Sequence, residues 1–167
     1  ERHNGRTVKL MGDGSLVEFS SVVDAVRFAV DVQHAIAAAQ TGNAEDTRIQ
    51  FRIGINVGDV IVEGEDIYGD GVNVAARIEG LADPGGICIA RTVFDQVNDK
   101  LDLTFEPMGP QEVKNISAPV EVYRVELDER SQSLALDTPP QIAEPKVEAP
   151  RRKTTRWALL AGIVVLA

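Results

Sequence analysis

Polar and apolar positions alternate in twos near the start of the chain and then shift to a helical period. Thr7–Met11 and Leu16–Phe19 read as short strands on either side of Gly12-Asp13-Gly14, a hairpin signal because Asp-Gly supplies the positive φ angles of a tight turn. Ser20 or Ser21 offers an N-cap. From Val22, apolar residues recur at Val26, Ala29, Val32, Ile36 and Ala39, a helical stripe that ends near Gly42. Gln50–Val57 alternates again as a strand, Gly58-Asp59 turns the chain, and Val60–Val62 reads as the returning arm. A loop with Gly64 and Gly69 leads to a helix over about 70–82, stopped by Pro84-Gly85-Gly86. Gly86–Ala90 has the continuous apolar character of a buried strand, and Thr92–Val97 that of a short helix. Phe105–Met108, Glu112–Asn115 and Val120–Leu127 complete the pattern as strands.

Hairpins alternating with helices predict an α+β fold: a sandwich with a largely antiparallel sheet and helices packed over it. The hairpin turns are too short for the crossovers of a doubly wound parallel sheet. A sequence of 167 residues, 44% hydrophobic and 26% charged, has enough apolar material for one domain with a sizeable core, plus a tail. The single Cys88 excludes an intrachain disulfide and sits in an apolar run, so it is expected to be a buried thiol in a reducing compartment.

After Asp128 the texture changes. Four of the eight prolines fall between Pro139 and Pro150, among Ser, Gln, Glu and Ala, which reads as a solvated linker over 130–156. Its basic end, Arg151-Arg152-Lys153-Thr154-Thr155-Arg156, precedes the uncharged run Trp157–Ala167. A Trp after a basic cluster is how transmembrane helices commonly begin, with the basic side cytoplasmic. The expectation is therefore a cytoplasmic domain over 1–129, anchored through a membrane helix that starts at 157–167. Net charge is −9 overall, but residues 1–129 hold 11 Lys and Arg against 23 Asp and Glu. So acidic a domain argues against nucleic acid as partner, while a metal and a few placed cations could still neutralise one nucleotide.

Asp13 lies between two glycines at the hairpin tip. It is either a plain turn aspartate or a metal carboxylate, with the glycines letting phosphates approach the backbone. Asn73 and Arg77 stand four apart on the expected helix, on one face and a turn from each other. That face is either simply solvated, with Arg77 paired to Asp70 or another carboxylate, or aimed at a ligand. Gly69-Asp70-Gly71 lacks the third glycine and the preceding strand of a dinucleotide fingerprint. His3 and His34 have no ligand neighbours at zinc spacing, and no Walker motif is present.

Lys9-Leu10-Met11-Gly12-Asp13-Gly14, Phe51-Arg52-Ile53-Gly54-Ile55-Asn56-Val57-Gly58 and Asp66-Ile67-Tyr68-Gly69-Asp70-Gly71-Val72-Asn73-Val74-Ala75-Ala76-Arg77, in this order, resemble the class III nucleotide cyclases. The resemblance spans about residues 7–127 and implies a ferredoxin-like, palm-type sheet. It assigns Asp13 to two Mg²⁺ (or Mn²⁺) ions, Lys9 and Asp66 to the base, Asn73 to the ribose, Arg77 to the α-phosphate, and Lys114 to the terminal phosphates. A Lys donor suits an acceptor nitrogen of adenine, and an Asp acceptor suits its exocyclic amine, so the pair implies ATP over GTP. Composite sites in a homodimer follow from the same resemblance. One departure matters: the family's first metal-binding Asp lies on an opening strand that would precede Glu1, so residues 1–167 by themselves are expected to be inactive. The competing expectations are a guanylate cyclase, a non-catalytic cyclase-like module for dimerisation or nucleotide sensing, and a palm domain making cyclic dinucleotides. The last leaves 66–77 without a role.

Overall fold

The computed structural model describes residues 3–11, 14–63, 66–112, 119–128, 131 and 162–166. Nine strands and three α-helices follow in the order β1 (Gly5–Met11), β2 (Gly14–Phe19), α1 (Val22–Ala39), β3 (Ile53–Asn56), β4 (Ile61–Glu63), β5 (Asp66–Tyr68), α2 (Asp70–Glu79), β6 (Ile87–Ala90), α3 (Arg91–Val97), β7 (Phe105–Gln111), β8 (Val120–Val125) and β9 (Gly162–Leu166). Seven strands form one sheet in the order β1-β2-β9-β3-β6-β8-β7. Its pairs are antiparallel except β3 with β6, which is the α+β, antiparallel-rich architecture expected.

Strand alternation sorts side chains between the two faces. On β2, Phe19 meets Phe28 of α1 with ring centroids 5.1 Å apart, whereas Leu16 joins Val60 and Ala75 in a cluster under α2. On β3, Ile53 and Ile55 are fully buried and alternate with Gly54 and Asn56, which face α2. Helices α1 and α3 touch each other and pack on one face of the sheet, and α2 covers β3, β9 and β6 on the other.

Helix α1 starts where the sequence places it. Ser21 is extended (φ −132°) and its hydroxyl accepts from the Asp24 amide at 3.2 Å, satisfying one of the orphan donors of the first turn. Val22, Ala25, Val26, Ala29 and Val30 form the buried stripe, and Gln33 continues it as a polar member. Gln33 tolerates burial because its side-chain amide donates to the carbonyls of Phe51 and Gly86, each at 3.0 Å. Cys88 is buried as expected, its thiol 3.6 Å from the Met108 sulfur. Burial pushes that thiol up to about 11, against the lowering influence of Arg124.

The structure departs from the expected elements at several places. Val60–Val62 does not return along β3. Instead β4 pairs with β5 as a separate two-stranded ribbon, and three-residue strands carry too little period to be read in advance. The strand expected over 105–108 is longer, with β7 running to Gln111, while of the strand expected over 112–115 only Glu112 is among the described residues and 113–118 lie outside them. Gly162–Leu166, expected within a membrane-entering helix, forms β9 between β2 and β3, antiparallel to both. The β-branched run Ile163-Val164-Val165 suits a central strand, and pairing on both sides removes two open edges. No helix among the described residues is long and apolar enough to cross a membrane.

The seat of α2 on β3 gives a direct stability test. A Cβ added at Gly54 would collide with the Ala75 carbonyl oxygen and the Glu79 amide nitrogen. Gly54→Ala should therefore cost about 1–3 kcal/mol, read as a lowered midpoint in urea unfolding. An unchanged midpoint would show that α2 is free to lift.

Candidate active site

Helix α2 is mounted on glycines. Gly69 precedes it at φ +143°, a conformation that L side chains rarely adopt. A Cβ on Gly58 would lie 2.8 Å from the Gly71 Cα, so the turn after β3 passes the first turn of α2 backbone to backbone. The Asn56 side chain donates through Nδ2 to the Gly71 carbonyl at 3.1 Å. Gly71, Ala75 and Ile78 form the buried face of α2. Asn73 and Arg77 lie on its exposed face, one turn apart. Among the described residues Arg77 makes no ion pair, so pairing with Asp70 does not account for it.

Lys9 comes to the same region by a different device. The β1–β2 register shifts between Thr7 and Lys9, setting Lys9 opposite Leu16. Opposed residues in an antiparallel pair share a face, and Leu16 belongs to the cluster beneath α2. The bulge thus turns the exposed Lys9 toward the α2 side of the sheet. Strand β1 approaches β5, and β5 in turn contacts α2. Asp66 opens β5, its backbone paired with Glu63, and its side chain is outside what the structure describes. Elements bearing Lys9, Asp66, Asn73 and Arg77 therefore meet in one place. Asp13 and Lys114 lie outside the described residues, although Met11 and Gly14, which bracket the Asp13 segment, pair with each other.

A cavity of about 1250 Å³ opens on another side of the α2 N-terminus, lined by Asn56, Asp59, Gly71, Val74, Arg91 and Glu121 among others. It contains none of Lys9, Asn73 and Arg77. Arg91 in its lining is already engaged: it donates to Asp95 and to Glu121, each at 2.7 Å, and these bonds raise its pKa. The cavity is large, but Lys9, Asn73 and Arg77 do not line it and are exposed.

The model of the adenylate and guanylate cyclase catalytic domain matches residues 1–126. The chain belongs to this family. A protein of Rhizobium meliloti (strain 1021) named "Putative adenylate cyclase 3" is 46% identical over 149 residues, covering 87% of this chain and 25% of the relative. The crystal structure of an adenylate/guanylate cyclase/hydrolase from Silicibacter pomeroyi superposes with a TM-score of 0.71 at 40% identity, covering 74% of this chain and 73% of that one. The adenylyl cyclase CyaB from P. aeruginosa superposes with a TM-score of 0.63 at 22% identity, covering 78% and 76%, and shares the fold. The chain thus spans about a quarter of the length of its curated Rhizobium relative.

Within this cyclase domain, residues kept for chemistry should be dispensable for folding. Arg77 is exposed and unpaired among the described residues, so Arg77→Ala should shift unfolding free energy by no more than about 0.5 kcal/mol. A loss above about 1.5 kcal/mol in denaturant titration would make Arg77 a structural residue.

Proposed function

We propose that residues 1–129 form most of an adenylate cyclase catalytic domain that converts ATP to 3′,5′-cyclic AMP and pyrophosphate in a homodimer. The observation that carries this reading is the convergence of β1, β5 and α2, which bear Lys9, Asp66, Asn73 and Arg77. Lys9 would donate to an adenine ring nitrogen while Asp66 accepts from the exocyclic amine. Asn73 would hold the ribose. The ribose 3′-oxygen, giving up its proton, bonds to the α-phosphorus, and the bond to the β-phosphate bridging oxygen breaks. Arg77 sits a turn from Asn73, placed to stabilise charge on the five-coordinate phosphorus. Lys114 is assigned to the departing pyrophosphate.

Because Asn73 and Arg77 stand on open surface rather than in the cavity, the described residues of one domain do not enclose a nucleotide beside them. This supports a site completed by a second cyclase domain. Among the described residues no group of three or more His, Cys, Asp or Glu is arranged to hold a metal, and Asp13 lies outside them. An Asp carboxylate is nevertheless the hard oxygen ligand that Mg²⁺ or Mn²⁺ selects. Two such ions, when bound, would lower the pKa of the 3′-hydroxyl and neutralise phosphate charge.

Base preference tests the reading. In the whole protein, ATP should be strongly preferred to GTP. Replacing Lys9 by Glu together with Asp66 by Ser should reverse the donor and acceptor pattern and move the preference by roughly ten- to hundredfold. The measurement is competition between both nucleotides, with cyclic AMP and cyclic GMP quantified. Equal use of GTP by the unaltered protein would remove base reading from these two residues and favour a guanylate or mixed cyclase.

Membrane attachment is a further part of the proposal: it rests on the basic run 151–156 ahead of Trp157 and competes with the pairing of Gly162–Leu166 as β9. The whole protein should sediment with membranes and resist extraction by high salt. Recovery in the salt wash would leave Gly162–Leu166 to its role as a sheet strand.

A further inference from the structure

We propose that Asn56 is a positioning residue for the catalytic face of α2, fixing the height and rotation of that helix over β3; this deepens the cyclase reading and rests on it. Asn56 ends a strand in which every residue is buried, and is itself only 5% exposed. A buried amide is costly unless it is hydrogen-bonded, and in a strand that otherwise reads Ile-Gly-Ile an apolar residue would be the simpler choice. The amide is used on the Gly71 carbonyl, 3.1 Å from Nδ2. That carbonyl belongs to the second residue of α2, where the helical ladder already supplies a partner from Ala75. The bond therefore does not rescue an orphan acceptor. It ties the helix to the sheet.

The close glycine contacts at this seat are non-directional. Gly54 faces the backbone of Ala75 and Glu79, Gly58 faces Gly71, and Gly69 faces the Asp59 carbonyl. Such backbone-on-backbone packing sets the spacing of helix and strand but resists sliding and rolling weakly. The Asn56 bond is directional and supplies that resistance. It acts two residues before Asn73 and six before Arg77, so a shift at the first turn is carried directly to both. Displacements of about 1 Å in groups that position a reacting phosphate can cost up to a hundredfold in rate.

Asn56 also lines the cavity of about 1250 Å³, which leaves room for a larger side chain that keeps a donor in the same place. In histidine, Nδ1 stands as many bonds from Cα as the Asn Nδ2 does. Asn56→Asp keeps the shape and turns an acceptor toward the Gly71 carbonyl, Asn56→Ala removes the donor with no new charge, and Asn56→His keeps it. The experiment compares these variants in the whole protein by cyclic AMP formation from ATP and by amide hydrogen exchange. Asn56→Asp and Asn56→Ala should lower kcat about tenfold or more with KM for ATP within about threefold, and should speed exchange at the α2 amides Val72–Ala76 while β6 and α3 exchange as before. Asn56→His should stay within about threefold of the unaltered protein on both readouts. Unchanged exchange in α2 overturns the tether. Faster exchange with unchanged kcat overturns the positioning role, and so does an Asn56→His variant as impaired as Asn56→Ala. Absence of any cyclic nucleotide from the unaltered protein refutes the cyclase reading instead, and the exchange of α2 then decides the tether by itself.

Discussion

The direct seating of α2 on β3 is the constraint on which the rest of this domain depends. Where most helices meet a sheet through interdigitated side chains, α2 meets β3 and the turn after it through Gly54 and Gly58, with almost nothing between the backbones. Close approach gives precision, because a helix resting on backbone has fewer alternative packings than one resting on flexible side chains. It also demands small residues on both sides, and Gly71 and Ala75 supply them from the helix. The outcome is an exposed Asn73 and Arg77 held by a strand from the middle of the seven-stranded sheet.

The rest of the fold arranges partners around that seat. Phe19, Val26, Val30, Ile55 and Ile89 build the core on the far face of the sheet, leaving the α2 face for function. The β1–β2 hairpin carries Lys9 to that face through a bulge, a device that re-aims one side chain at the cost of one ladder position. Strand β9 joins the hairpin to the seat, since β2 and β3 do not pair directly and each bonds to β9 instead. The geometry between Lys9 and Arg77 is thus set partly by a segment far away in sequence. The match over residues 1–126 establishes the family.

What the sequence revealed followed from local physics. Ser21 before an apolar stripe announced α1, and the i, i+4 spacing put Asn73 and Arg77 on one helix face. The Gly86–Ala90 run reads as a buried strand because all four residues of β6 are buried. What the sequence concealed depended on distant pairing. The β4–β5 ribbon is too short to show a period, and the bulge beside Lys9 is visible only once the register with Leu16 is known. Gln33 interrupts an apolar stripe yet is buried, because its acceptors, the carbonyls of Phe51 and Gly86, lie just ahead of β3 and β6, far along the chain. Asn56 passed as one polar position in an alternating strand. The available signal was its place in an otherwise apolar and glycine run, where a buried amide needs a partner.

The position of a bound nucleotide tests the proposed cyclase site most directly. A crystal structure of the whole protein with a non-cyclisable ATP analogue and Mg²⁺ should place the base between Lys9 and Asp66. It should also place the ribose beside Asn73, and the α-phosphate within hydrogen-bond reach, about 3 Å, of the Arg77 guanidinium. An analogue bound instead in the cavity beside Arg91 and Glu121, with Asn73 and Arg77 left in solvent, would contradict it.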